Sequence, residues 1–173
     1  MKFYSGFSLK NDNHFFKDYI KESDYTTCGF SYGAIKAFNY VQEQLEKGNR
    51  VDTLQLFSPA FFQTKSSKFK RLQTLAYTKS EDSYLNQFID GCFLPHPKRD
   101  IEHIQTTVNE LEELLNFEWT VPELQTIVDK GVVIEVYLGS KDKIIDVESA
   151  RELFLNVTTV TYIKNVNHFL QIN

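Results

Sequence analysis

Gly29-Phe30-Ser31-Tyr32-Gly33 follows Asp24-Tyr25-Thr26-Thr27-Cys28, a run rich in β-branched and aromatic residues, as a short buried strand should be. Beyond it Ala34, Ile35, Ala37, Phe38, Val41 and Leu45 recur at helical spacing until Gly48, a C-terminal stop signal. Strand, tight turn and helix in that order lift a serine hydroxyl above the carboxyl edge of a parallel sheet. Glycines two residues to either side remove side chains that would collide there. Ser31 is therefore the first candidate nucleophile.

Outward from this turn, strand-like runs at Lys2-Tyr4, Tyr25-Cys28, Thr53-Phe57, Val132-Leu138 and Thr159-Ile163 alternate mainly with helix-like stretches. That pattern predicts an α/β fold, a mainly parallel sheet of about five strands flanked by helices. Each strand runs at its carboxyl end into a loop, where such folds place their sites. Residues 60–130 break the alternation with successive helical patterns and no strand signal, and read as a helical cap inserted into a single domain spanning 1–173. Within it Ser80 is read as the cap of a helix that Gly91 ends. Asp100 is read as the cap of a helix bearing Ile101, Ile104, Val108, Leu111 and Leu115, and Thr120 with Glu123 forms a capping box.

The 173 residues suit one ordinary domain, and the 42% hydrophobic and 14% aromatic content requires a packed core. No stretch has the ~20 apolar residues of a membrane span. No leader is read at the N-terminus, so a soluble cytoplasmic protein is expected, without membrane association. The two cysteines lack metal-type spacing, Cys28 reads as small strand filling, and no metal site is expected. A net charge of −4 argues against a general nucleic-acid binder.

A serine hydroxyl is a poor nucleophile at neutral pH and needs a base together with a group that orients that base. Gly139-Ser140-Lys141-Asp142 follows the fourth strand and Asn165-Val166-Asn167-His168-Phe169 the fifth. The order serine, acid, histidine, each past a separate strand, makes His168 the candidate general base and Asp142 its orienting acid. Asp146 competes, but it directly precedes Val147, Ala150, Leu153 and Phe154 at helical spacing and suits an N-cap; if Asp142 is inert, Asp146 or Glu148 takes the role. His14, His96 and His103 lie in helix-like or turn segments and read as surface or packing residues. An oxyanion hole needs two preorganised N–H donors, and the backbone amides of Tyr32 and of Phe7, after Ser5-Gly6, are the candidates. Ser58-Pro59, after the third strand, borders the site or merely ends its strand.

Lys65, Lys68, Lys70, Arg71 and Lys79 lie in residues 60–79 without one acidic residue. On an acidic protein this stretch either steers an anionic macromolecule or phosphate-bearing substrate or is a solvated helix face. Phe61, Phe62, Phe69, Leu72 and Leu75, interleaved with it, wall an apolar channel or belong to the core.

The strings Gly29-Phe30-Ser31-Tyr32-Gly33, Gly139-Ser140-Lys141-Asp142 and Asn167-His168-Phe169 together resemble the α/β-hydrolases, in a compact form whose first strand begins at once. Phe3-Tyr4-Ser5-Gly6-Phe7, Leu56-Phe57-Ser58-Pro59 and Phe69-Lys70-Arg71-Leu72-Gln73 are similar, more narrowly, to the short pimeloyl-acyl-carrier-protein methyl ester esterases of biotin synthesis. The resemblance implies a serine carboxylesterase that releases methanol and leaves pimeloyl carrier protein, with Ser31, Asp142 and His168 as triad and no cofactor. It also implies an acidic acyl carrier protein as partner, with Lys65, Lys68, Lys70 and Arg71 as docking candidates; separately, a monomer is expected. An acyl thioesterase with the same triad and a non-catalytic binding module of the same fold are the alternatives. The sequence departs from the family in lacking the early His-Gly pair and in having Asn167 where glycine is common.

Overall fold

A computed structural model of the chain describes residues 1–172. Five parallel strands form one sheet in the order β1 (Lys2–Tyr4), β3 (Thr26–Phe30), β4 (Thr53–Phe57), β6 (Val133–Gly139) and β7 (Thr159–Ile163). A two-stranded antiparallel ladder pairs β2 (Leu9–Lys10) with β5 (Glu102–His103). The helices are α1 (Tyr32–Glu46), α2 (Ser67–Lys79), α3 (Glu81–Phe93), α4 (Val108–Asn116), α5 (Val121–Asp129) and α6 (Val147–Leu155). A short 3-10 helix covers Asp12–Phe16.

Side chains alternate along a strand, so the sheet has two apolar faces and both are covered. Leu54, Leu56, Ile134, Val136 and Leu138 share one core with Ala34, Phe38 and Val41 of α1, Leu124 and Ile127 of α5, and Ala150 and Phe154 of α6. Cys28, Phe30 and Phe57 face a second core closed by Phe15 and Phe16, by Ile89, Cys92 and Phe93 of α3, and by Phe169. Phe16 stacks on Phe57 at 4.7 Å between centroids, and Phe169 lies 4.9 Å from Phe30 and 4.5 Å from Phe93. Such pairs contribute about 0.5–1.5 kcal/mol each beyond the area they bury. Through Phe30 and Phe169 they clamp the strand that leads into Ser31 against the loop that carries His168. Cys28 is one of these packing groups: its thiol donates to Gln55 Oε1 at 3.4 Å, and burial pushes its pKa up to about 12.

The strand reading holds with ends shifted by a residue or two, whereas the helix expected to start at Asp100 does not form there. Residues Glu102–His103 are extended as β5, and α4 begins at Val108, where Thr107 and Glu110 make a reciprocal capping box. The tertiary partner decides this. Ile104 N–H donates to the Ser8 carbonyl at 3.0 Å, the Ser8 and Thr106 hydroxyls share a hydrogen bond, and Tyr77 donates to the Thr106 carbonyl at 2.7 Å. These interactions outweigh a helical periodicity that Ile101 and Ile104 only imitated. Helix α3 runs past Gly91 to Phe93 and stops before Pro95, whose ring cannot continue it. Thr120 caps α5, with Pro122 in its first turn. Among the described residues no helix is long and apolar enough to cross a membrane.

Candidate active site

Ser31 sits between β3 and α1 with φ 52° and ψ −115°, a conformation that costs a non-glycine residue about 1–3 kcal/mol. The surrounding backbone enforces it. Ser31 N–H donates to the Phe57 carbonyl at 2.9 Å, and its own carbonyl accepts from Ala34 at 3.0 Å and Ala60 at 3.1 Å. The flanking glycines are sterically required: a Cβ on Gly29 would lie 2.2 Å from the Gly33 carbonyl oxygen, and one on Gly33 would lie 2.0 Å from the Tyr4 carbonyl oxygen. The first turn of α1 therefore presses backbone to backbone on the loop after β1. Phe7 in that loop is fully buried, with its ring 6.1 Å from the Tyr32 ring. The two residues whose N–H groups are the oxyanion-hole candidates are thus packed against each other.

Asp142 and His168 meet at the same carboxyl edge. His168 Nδ1 is 2.5 Å from Asp142 Oδ2, and both side chains are wholly buried. Asp142 Oδ1 accepts the backbone N–H groups of Ile144 at 2.8 Å and Ile145 at 3.3 Å. A carboxylate receiving three hydrogen bonds acts as acceptor only, so Nδ1 carries the imidazole proton and the lone pair is left on Nε2. Neither His168 Nε2 nor Ser31 Oγ has a hydrogen-bond partner, although both are buried. The base and its acid are joined, while Ser31 stands at the same edge without a hydrogen bond to His168; Phe30, its neighbour, has its ring 5.0 Å from the imidazole. Catalytic hydrogen bonds are often loose until substrate binds.

Asp146 does other work: it is the N-cap of α6, accepting Ser149 N–H at 3.3 Å and the Thr64 hydroxyl at 2.9 Å. Of the remaining histidines, His14 Nδ1 lies 2.6 Å from the Asn11 carbonyl, His96 Nε2 lies 2.7 Å from the Asn165 carbonyl, and His103 is exposed in β5.

Asn167, unremarkable in sequence except as a departure from glycine, anchors the histidine loop. Its side-chain amide donates to the Phe93 carbonyl at 2.8 Å and its Oδ1 accepts Gln171 N–H at 3.0 Å. Ser58, directly after β4, departs from regular backbone. It is buried, has φ 40°, and its Oγ lacks a partner. Among the described residues, the four orphaned buried side-chain atoms belong to Asp12, Ser31, Ser58 and His168. Unpaired buried polar atoms are costly, and three of these belong to loops that directly follow sheet strands at the carboxyl edge.

A cavity of about 300 Å³ lies beside this edge, walled by Phe62, Phe69, Tyr84, Phe88, Leu115 and Ile144. None of Ser31, Asp142 and His168 lines it; Phe88, whose ring is 6.1 Å from that of Phe7, and Ile144, whose N–H Asp142 accepts, stand between the cavity and the site. Helix α2 borders it with Phe69 and presents Lys68 and Arg71 outward beside Leu72 and Leu75, which are 53% and 52% exposed. Lys65 and Lys70 are half-buried near Arg71.

With this geometry in place, the fold is that of the α/β-hydrolases. The naproxen esterase (carboxylesterase NP) of Bacillus subtilis aligns at TM-score 0.53 and 18% identity, over 96% of this chain and 62% of that one. The esterase EaEST of Exiguobacterium antarcticum aligns at TM-score 0.53 and 17% identity, over 83% and 59%. BioG of Haemophilus influenzae aligns at TM-score 0.57 and 14% identity, over 96% and 87%. The chain thus spans less than two thirds of the two esterases. No protein-family model and no curated protein sequence matches it.

Proposed function

We propose that the protein is a serine carboxylesterase acting on the methyl ester of a pimeloyl group held by an acyl carrier protein. The observation that carries the catalytic part is the buried Asp142–His168 pair, with its unpartnered Nε2 at the edge that holds the strained, unpartnered Ser31. In this reading Ser31 Oγ attacks the ester carbonyl while His168 Nε2 takes its proton and Asp142 stabilises the imidazolium. The N–H groups of Phe7 and Tyr32 receive the negative charge on the carbonyl oxygen. Collapse expels methoxide, which takes the proton from His168 and leaves as methanol. A water molecule, deprotonated by the same imidazole, then cleaves the acyl-enzyme and restores Ser31. The side chains supply nucleophile, base and orienting acid, so the chemistry calls for no cofactor.

The narrower substrate rests on the resemblance of the local strings to the biotin-pathway esterases and on the basic face of α2. Lys65, Lys68, Lys70 and Arg71 make no ion pair among the described residues. They are free to meet an acidic carrier protein, with Leu72 and Leu75 as apolar contacts and the neighbouring cavity open to the acyl chain. The test is a product assay on pimeloyl-carrier methyl ester. Methanol without free carrier thiol is the expected outcome; free thiol would make the protein a thioesterase, and neither product would remove the carrier-bound ester as substrate.

A further inference from the structure

Asp12 is wholly buried in the 3-10 helix, outside the residues assigned above. Its Oδ2 accepts the Gly6 backbone N–H at 2.9 Å, and Oδ1 has no partner. Burial pushes its pKa up. A carboxyl with one orphaned oxygen is a costly way to fill a core, and such a group calls for an explanation.

Its explanation lies one residue further on. The Gly6 carbonyl accepts the Leu9 N–H at 3.1 Å, and in a trans peptide the carbonyl and the following N–H point in opposite directions. Holding the Gly6 oxygen toward Leu9 therefore turns the Phe7 N–H away from Leu9. Asp12 fixes the preceding peptide through the Gly6 N–H, so both backbone torsions of Gly6 are constrained. Gly6 needs that restraint because glycine is otherwise the most mobile residue of the loop. Its position also has no room for a side chain, since a Cβ would meet the Phe30 ring at 2.9 Å.

We propose that Asp12 is a positioning residue for the oxyanion hole, anchoring Gly6 so that the Phe7 N–H is held where negative charge develops. This rests on Ser31 being the nucleophile. In Asp12→Ala the turnover of a p-nitrophenyl ester should fall about 10–100-fold, less than the loss of a whole oxyanion donor, with KM within about twofold. A trifluoromethyl ketone, whose hemiketal oxygen occupies the hole, should bind more weakly by a similar factor. Asp12→Asn keeps an acceptor for Gly6 and should return kcat to within about fivefold of the parent. An Asp12→Ala enzyme with kcat within about threefold of the parent, or one that loses kcat while keeping ketone affinity, would overturn the inference. If that variant does not fold, Asp12→Glu, which displaces the carboxyl by one methylene, decides by the same two readouts. Failure of a fluorophosphonate to label the parent protein would instead remove Ser31 as nucleophile, leaving the two ideas separable.

Discussion

Tyr32 donates its phenolic hydrogen to Glu113 Oε2 at 2.6 Å, tying the first residue of α1 to α4 across 81 residues of sequence. Lys36 reinforces the join, with Nζ 3.3 Å from Glu110 Oε1 and 4.4 Å from the Tyr32 ring centroid. The helix that offers one candidate oxyanion donor is thereby fixed to a wall of the cavity. Tyr32→Phe leaves the Glu113 carboxylate without this partner and should lower unfolding stability by about 1–2 kcal/mol in urea titration. Because the phenol does not touch the reacting atoms, kcat on a small ester should stay within about threefold.

The two candidate acids separate cleanly. Asp142→Asn disturbs the tautomer of His168 and should reduce kcat by about 10³–10⁴-fold. Asp146→Asn should leave turnover near that of the parent and cost at most about 1 kcal/mol through a weaker cap on α6. Steady-state kinetics and thermal melts of both variants check this, and a larger catalytic loss at Asp146 would reverse the assignment.

Charge reversal at Lys68 and Arg71 should raise KM for a carrier-bound ester far more than for a small soluble ester. The difference should be greatest at low ionic strength, where screening is weakest. Equal losses on both substrates would remove α2 as the docking face.

Asp12 also has a signature in stability. A carboxyl whose folded-state pKa lies above its ordinary 3.8 holds its proton more tightly in the fold. Stability therefore falls as pH rises from about 4 through the folded-state value, then levels off. Asp12→Asn lacks this slope and should melt a few degrees above the parent at pH 7, an advantage that vanishes near pH 3. The same variant being slower and more stable would be a trade of stability against function.

Much of this arrangement was legible in the sequence. Thr53–Phe57 and Thr159–Ile163 have the observed bounds because β-branched and apolar residues there end in clear loop signals. The order of Ser31, Asp142 and His168 past three strands is readable because topology brings strand ends together. What escaped depends on partners distant in sequence. The extended stretch at Glu102–His103 exists because it pairs with Leu9–Lys10, and the Asn167 clamp exists because Phe93 offers a carbonyl. A single buried carboxyl such as Asp12 leaves no periodic trace, and a positive φ at Ser58 is invisible in a non-glycine residue.

Removal of Ser31 or of His168 should each cost about 10⁴–10⁶ in kcat without unfolding the protein, because such residues act as a unit. Near-normal esterase activity in either variant would break the proposed triad.

The most direct measurement is mass spectrometry of the intact and digested protein after reaction with a fluorophosphonate. One adduct per chain, located on Ser31 and lost in both Ser31→Ala and His168→Ala, is the expected result. No adduct, or an adduct on another residue with Ser31 unmodified, would contradict the assignment of Ser31 as the nucleophile.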